Sequence, residues 1–100
     1  MTDLDIVEQP DRNRFVVDVD GHVGEITYEI DGATFAIVHT RVPDELGGKG
    51  IAGKLVEAAV AKAAAEELTV VPQCSYARQW LQRHPDAAAT VTIDWPPEPS

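Results

Sequence analysis

Arg41-Val42-Pro43-Asp44-Glu45-Leu46-Gly47-Gly48-Lys49-Gly50-Ile51-Ala52-Gly53 is the stretch on which the fold turns. Upstream of it, apolar residues recur at every second position, the mark of half-buried strands. Phe15, Val17 and Val19 share one face of Arg14–Val19. Asp20-Gly21, a dipeptide that tolerates positive φ, predicts a tight hairpin turn into a strand over 22–30, where Ile26, Tyr28 and Ile30 oppose Glu25, Thr27 and Glu29. Asp31-Gly32 repeats the turn signal. The third strand, 33–42, is apolar on both faces and is expected to be central, with His39 on the face of Phe35 and Ile37. Downstream the period becomes helical: Ile51, Ala52, Leu55, Val56, Ala59, Val60 and Ala63 form one stripe. Leu68–Val71 reads as a buried strand ended by Pro72. Ser75 is placed to cap a second helix running to Arg83, and a short strand is expected over 90–93, with 95–100 frayed. The predicted class is α+β with a mixed sheet: an antiparallel three-stranded meander, then β-α-β-α in one domain of 100 residues. The helix between the third and fourth strands makes that pair parallel, and a ligand site is expected where the pair meets the helix start.

Composition bounds the function. The net charge of −9 argues against nucleic acid, whose phosphates need a basic field. The charge is uneven: residues 1–45 carry 11 acids and 3 bases, whereas 46–85 carry 3 acids and 5 bases. The basic stretch is the one holding the glycines, which suits an anionic ligand there and cationic partners elsewhere. A surface merely kept soluble by charge would show the same imbalance. No run approaches the ~20 apolar residues of a membrane span, and the acidic N-terminus does not resemble a secretory leader. A single cysteine, Cys74, excludes an internal disulfide, and no His, Cys or carboxylate cluster has metal-ligand spacing, so no metal is predicted. A reducing cytoplasm is the simplest setting.

Gly47, Gly48, Lys49 and Gly50 follow a strand and open a helix. The first turn of a helix carries about four unpaired N–H groups, and glycines let an anion approach them, so a diphosphate is the natural guest. A Walker loop is excluded, because Pro43 stands where its first glycine belongs and Gly50, not Ser or Thr, follows Lys49. A dinucleotide fold is disfavoured by the three preceding antiparallel strands and by the lack of an acid at Val71-Pro72-Gln73. Coenzyme A remains. Four blocks in order, His39-Thr40-Arg41-Val42-Pro43, Gly48-Lys49-Gly50-Ile51-Ala52 with Leu55-Val56, Val71-Pro72-Gln73-Cys74-Ser75-Tyr76 and Arg83-His84-Pro85, resemble the short, single-domain branch of the GNAT N-acetyltransferases. Gly50 and Ala52 fit the superfamily signature; its first position is Gly47 rather than Gln or Arg, which leaves the grip to backbone donors.

The resemblance implies acetyl-CoA as cosubstrate, its diphosphate on the amides of Gly48, Lys49, Gly50, Ile51 and Ala52. Its pantetheine arm would lie between the splayed parallel strands, near Val42 and Val71. It implies transfer of acetyl to a primary amine, with His39 as base and Cys74 as acid toward the departing thiolate, or with Cys74 as an acetylated nucleophile activated by His39. Direct transfer is preferred. A half-buried His and a lone Cys can equally be packing residues. Tyr76 either bonds near the thioester sulfur or packs. Arg78, Arg83 and Lys49 could meet phosphates, though each alone reads as solvated surface. Trp80 is expected to anchor the last helix, His84 to stop it, and His22 to be exposed. The acidic surface suits a cationic acceptor, a lysine-bearing protein, a protein N-terminus or a polyamine. A non-catalytic module that binds acyl-CoA and acts through a partner is the rival.

Overall fold

The computed structural model describes residues 6–46 and 50–96. Strands β1 (Ile6–Gln9), β2 (Arg14–Val19), β3 (His22–Asp31) and β4 (Thr34–Arg41) form an antiparallel run, one strand longer than the sequence announces. After a 3-10 turn at Asp44–Leu46 come helix α1 (Ile51–Ala65), strand β5 (Thr69–Pro72), helices α2 (Ser75–Arg83) and α3 (Pro85–Ala88), and strand β6 (Thr92–Ile93). The sheet runs in chain order from β1 to β6, with β4–β5 and β5–β6 parallel. Asp20 and Gly21 both take left-handed φ, 54° and 83°, as the first hairpin demands. The second turn is centred on Gly32-Ala33 rather than Asp31-Gly32, since Asp31 still pairs with Thr34.

Burial explains the assembly. The stripe of α1 predicted from its spacing is buried at Ile51, Leu55, Val56, Ala59, Val60 and Ala63, against Phe15, Val17, Ile26, Phe35 and Ile37 of the sheet. Helix α2 packs beside α1 through Ala77, Trp80 and Leu81. Trp80 anchors α2 as expected, stacked on His84 with ring centroids 4.1 Å apart. His84 ends the helix, its Nδ1 2.8 Å from the Trp80 carbonyl. Both long helices therefore lie on one side of the sheet. The other side carries Val7, Val16, Thr27, Glu29, Ala36 and Val71 with no helix over it among the described residues.

One irregularity decides the site. Thr27 faces His39 and Tyr28 faces Ile37, so β4 carries one extra residue, Val38, a β-bulge. A single inserted residue reverses which side every later side chain takes. His39 is therefore not on the face of Phe35 and Ile37, as strict alternation predicts; it is exposed on the open side, opposite Thr27. Thr40 takes the helix-facing side instead, opposite the fully buried Ile26.

Candidate functional site

The parallel pair β4–β5 holds together from Thr34–Thr69 to Ile37–Pro72 and then divides. At the fork the amides of Gln73 and Cys74 both donate to the Ile37 carbonyl, each at 3.0 Å. Past it, β5 turns into α2, while β4 continues along β3 alone. The edge of β4 from Val38 to Arg41 thus has no strand partner on its β5 side among the described residues. Such an edge presents unpaired N–H and C=O groups ready to bond an extended guest.

Next to the fork lies a cleft of ≈ 380 Å³. Val42 and Pro43 enter it from the end of β4, Asp44 and Leu46 from the 3-10 turn, Gly50, Ile51 and Ala52 from the start of α1, and Tyr76 from α2. Five residues singled out in the sequence, Val42, Gly50, Ile51, Ala52 and Tyr76, are brought together here. Gly47, Gly48 and Lys49 lie outside the described residues. Gly50 precedes α1 with φ 73°, a conformation costly for other residues, and no side chain caps the helix. The first N–H groups of α1 are thus left for a ligand, and the positive end of the helix dipole points at the cleft. No acid sits in the first turn of α1, although Asp44 lines the rim. A diphosphate and an extended thiol arm fit this combination of uncapped helix start and open strand edge.

Cys74 is half-buried and precedes α2, so the cap position predicted for Ser75 belongs to Cys74. Its thiol lies 3.4 Å from the hydroxyl of Thr40. His39 and Cys74 reach the same end of the parallel pair but on different sides: His39 faces the open surface, and Cys74 packs against the core under the helices. Val71 lies inside the paired region, opposite Ala36, short of the fork. Arg78 is turned away from the cleft, its guanidinium donating to the Pro96 carbonyl. His22 sits at the hairpin, 4.0 Å from Glu45. Thr40 escaped the reading as a functional residue, because its place beneath Cys74 exists only through the bulge. Among the described residues no cluster of three or more His, Cys, Asp or Glu could hold a metal, and no helix is long and apolar enough to cross a membrane.

Known proteins share this fold. Residues 14–91 match the family model of the GCN5-related N-acetyl-transferases. The NMR solution structure of a GCN5-like protein from Staphylococcus aureus superposes with a TM-score of 0.73 at 31% identity, covering 98% of this chain and 95% of that one. The family match and the shared fold define an acyl-group transferase. The chain belongs to the GCN5-related N-acetyltransferase family, whose members generally draw their acetyl group from acetyl-CoA.

Proposed function

We propose that this chain binds acetyl-CoA with its diphosphate at the start of α1 and its pantetheine arm along the free edge of β4, and moves the acetyl group directly onto a primary amine. The observation that carries this reading is the fork at Ile37, which holds Cys74 at the end of an open strand edge beside an uncapped helix. The thioester then lies at the fork, where the unpaired main-chain groups around the bulge can donate to its carbonyl oxygen.

The two sides of the sheet divide the proton chemistry. The amine arrives from the open side, where His39 takes its proton, directly or through water. Cys74, on the helix side, gives its proton to the departing coenzyme thiolate. The absence of a hydrogen bond between His39 and Cys74 among the described residues favours this direct route over a thiol activated by the imidazole. The acceptor is an amine on a lysine-bearing protein, a protein N-terminus or a polyamine, and the setting is the cytoplasm.

Release of free thiol from acetyl-CoA, followed over a panel of lysine peptides, peptide N-termini and spermine, tests the reading. Turnover should fall by about 10²-fold or more in both His39→Ala and Cys74→Ala, with coenzyme binding retained. Tight coenzyme binding without thiol release across the panel would make the chain a binding module instead. An acetyl adduct on Cys74 in rapidly quenched intact mass spectra would replace direct transfer by a covalent route.

A further inference from the structure

We propose that Thr40 is a positioning residue for the transfer, holding the Cys74 thiol toward the fork and stabilising the thiolate left after its proton is donated. This inference rests on the acid role of Cys74 given above.

The geometry comes from both sides of the bulge. Ile37, just before it, fixes the Cys74 main chain through its carbonyl, and Thr40, just after it, meets the Cys74 side chain, Sγ to Oγ1 at 3.4 Å. Were Val38 paired in regular alternation instead of bulged out, Thr40 would point to the open face and could not reach the thiol. The bulge thus places one hydroxyl beside one thiol at the fork where β4 and β5 part. Both groups are half-buried, so the bond is partly shielded from water.

A hydroxyl suits both states of the thiol, because it accepts from S–H and, on rotation, donates to S⁻. In the resting protein Cys74 donates S–H to Thr40 Oγ1. When the amine has added to the thioester carbonyl, the tetrahedral adduct collapses and its carbon–sulfur bond breaks, the electron pair leaving on the coenzyme sulfur. That sulfur takes the Cys74 proton and becomes free coenzyme A. The amine nitrogen loses its own proton to His39 or water, and Thr40 turns its O–H toward the Cys74 thiolate until solvent returns a proton to it. A valine at position 40 has nearly the same shape but offers neither bond.

Thr40→Val and Thr40→Ser, compared with Cys74→Ala, test the proposal by kinetics and by alkylation of Cys74 with iodoacetamide at fixed neutral pH. Thr40→Val should lower kcat about tenfold with KM for acetyl-CoA unchanged, and slow alkylation about tenfold, because a hydrogen bond to a charged group is worth about one decade or more. Thr40→Ser should restore both rates while keeping the smaller side chain. Equal kcat and equal alkylation in Thr40→Val and the parent would overturn the role of Thr40. A loss in Thr40→Val that Thr40→Ser fails to restore would overturn it too, reducing the threonine to a packing residue. If Cys74→Ala itself turns over normally, the acid role fails first, whatever Thr40 does to alkylation.

Discussion

Gly53 carries a contest between two residue-scale effects. It lies inside α1, where alanine would gain about 1 kcal/mol of helix propensity. Yet a Cβ there would stand 2.9 Å from Trp80 Nε1 and 3.3 Å from Trp80 Cδ1. The indole is buried and stacked on His84, so it has little room to yield. Overpacking costs about 1–3 kcal/mol and outweighs the propensity. Gly53→Ala should therefore lower the urea midpoint, by a net amount of about 1 kcal/mol; a raised midpoint would show that α2 is free to slide. The sequence displays Gly53 as one more member of a glycine-rich loop, and only the crossing of α1 and α2 reveals it as a contact. Gly50 is the reverse case. Its position between a strand and an apolar stripe announced a helix start, and its left-handed φ fits that reading. Cys74 was legible as a residue near the fork, but its hydroxyl partner was not.

Elements that signal themselves locally came through well. The hairpin at Asp20-Gly21 and the stripe of α1 each rest on neighbouring residues, and their bounds agree with expectation to within a residue or two. What escaped depends on distant partners. β1 is four residues ending before the turn residues Pro10, Asp11 and Asn13, too short to show a period of its own, and it is a strand only because β2 offers an edge. α3 is a single turn led by Pro85, which a reader takes for the stop of α2. The bulge is the most consequential omission. Phe35, Ile37 and His39 continue an unbroken alternation, valine is at home in any strand, and nothing local marks Val38 as supernumerary. Deleting Val38 should straighten β4 while leaving His39 opposite Thr27 and Thr40 opposite Ile26. We expect thiol release to survive in the deletion variant, whereas its loss would mean that the local kink of the bulge, and not only the sides taken by His39 and Thr40, serves the site.

Over the whole molecule, an ionic brace ties the edge of the sheet to its covering helix. Lys62 of α1 lies 2.6 Å from Glu8 of β1 and 2.7 Å from Glu66, and Tyr28 donates to Glu8 at 3.3 Å. Glu66, and then Glu8, hold the Lys62 ammonium well above its ordinary 10.5, while burial and then Glu8 raise the Tyr28 phenol above 10.0. Both groups bind their protons more tightly folded than unfolded. Their stabilisation is thus complete below about pH 10 and is lost as pH rises beyond it. The parent should lose more stability between about pH 9.5 and 11.5 than Lys62→Met does, by thermal melting, and parallel curves would discount the brace. At neutral pH the same substitution should cost only about 1 kcal/mol, since water screens a brace that is partly exposed. Net charge and the chain's α+β class were readable from composition and period, but which of 17 acids would meet a lysine was not. The bare side of the sheet has a different consequence. With no helix over that side among the described residues, an amine taking the proposed route to His39 need not thread a tunnel, so girth ceases to be a criterion. An amine fixed to a bulky folded surface should then be served as readily as one diffusing alone, and discrimination would fall to the few atoms flanking the nitrogen.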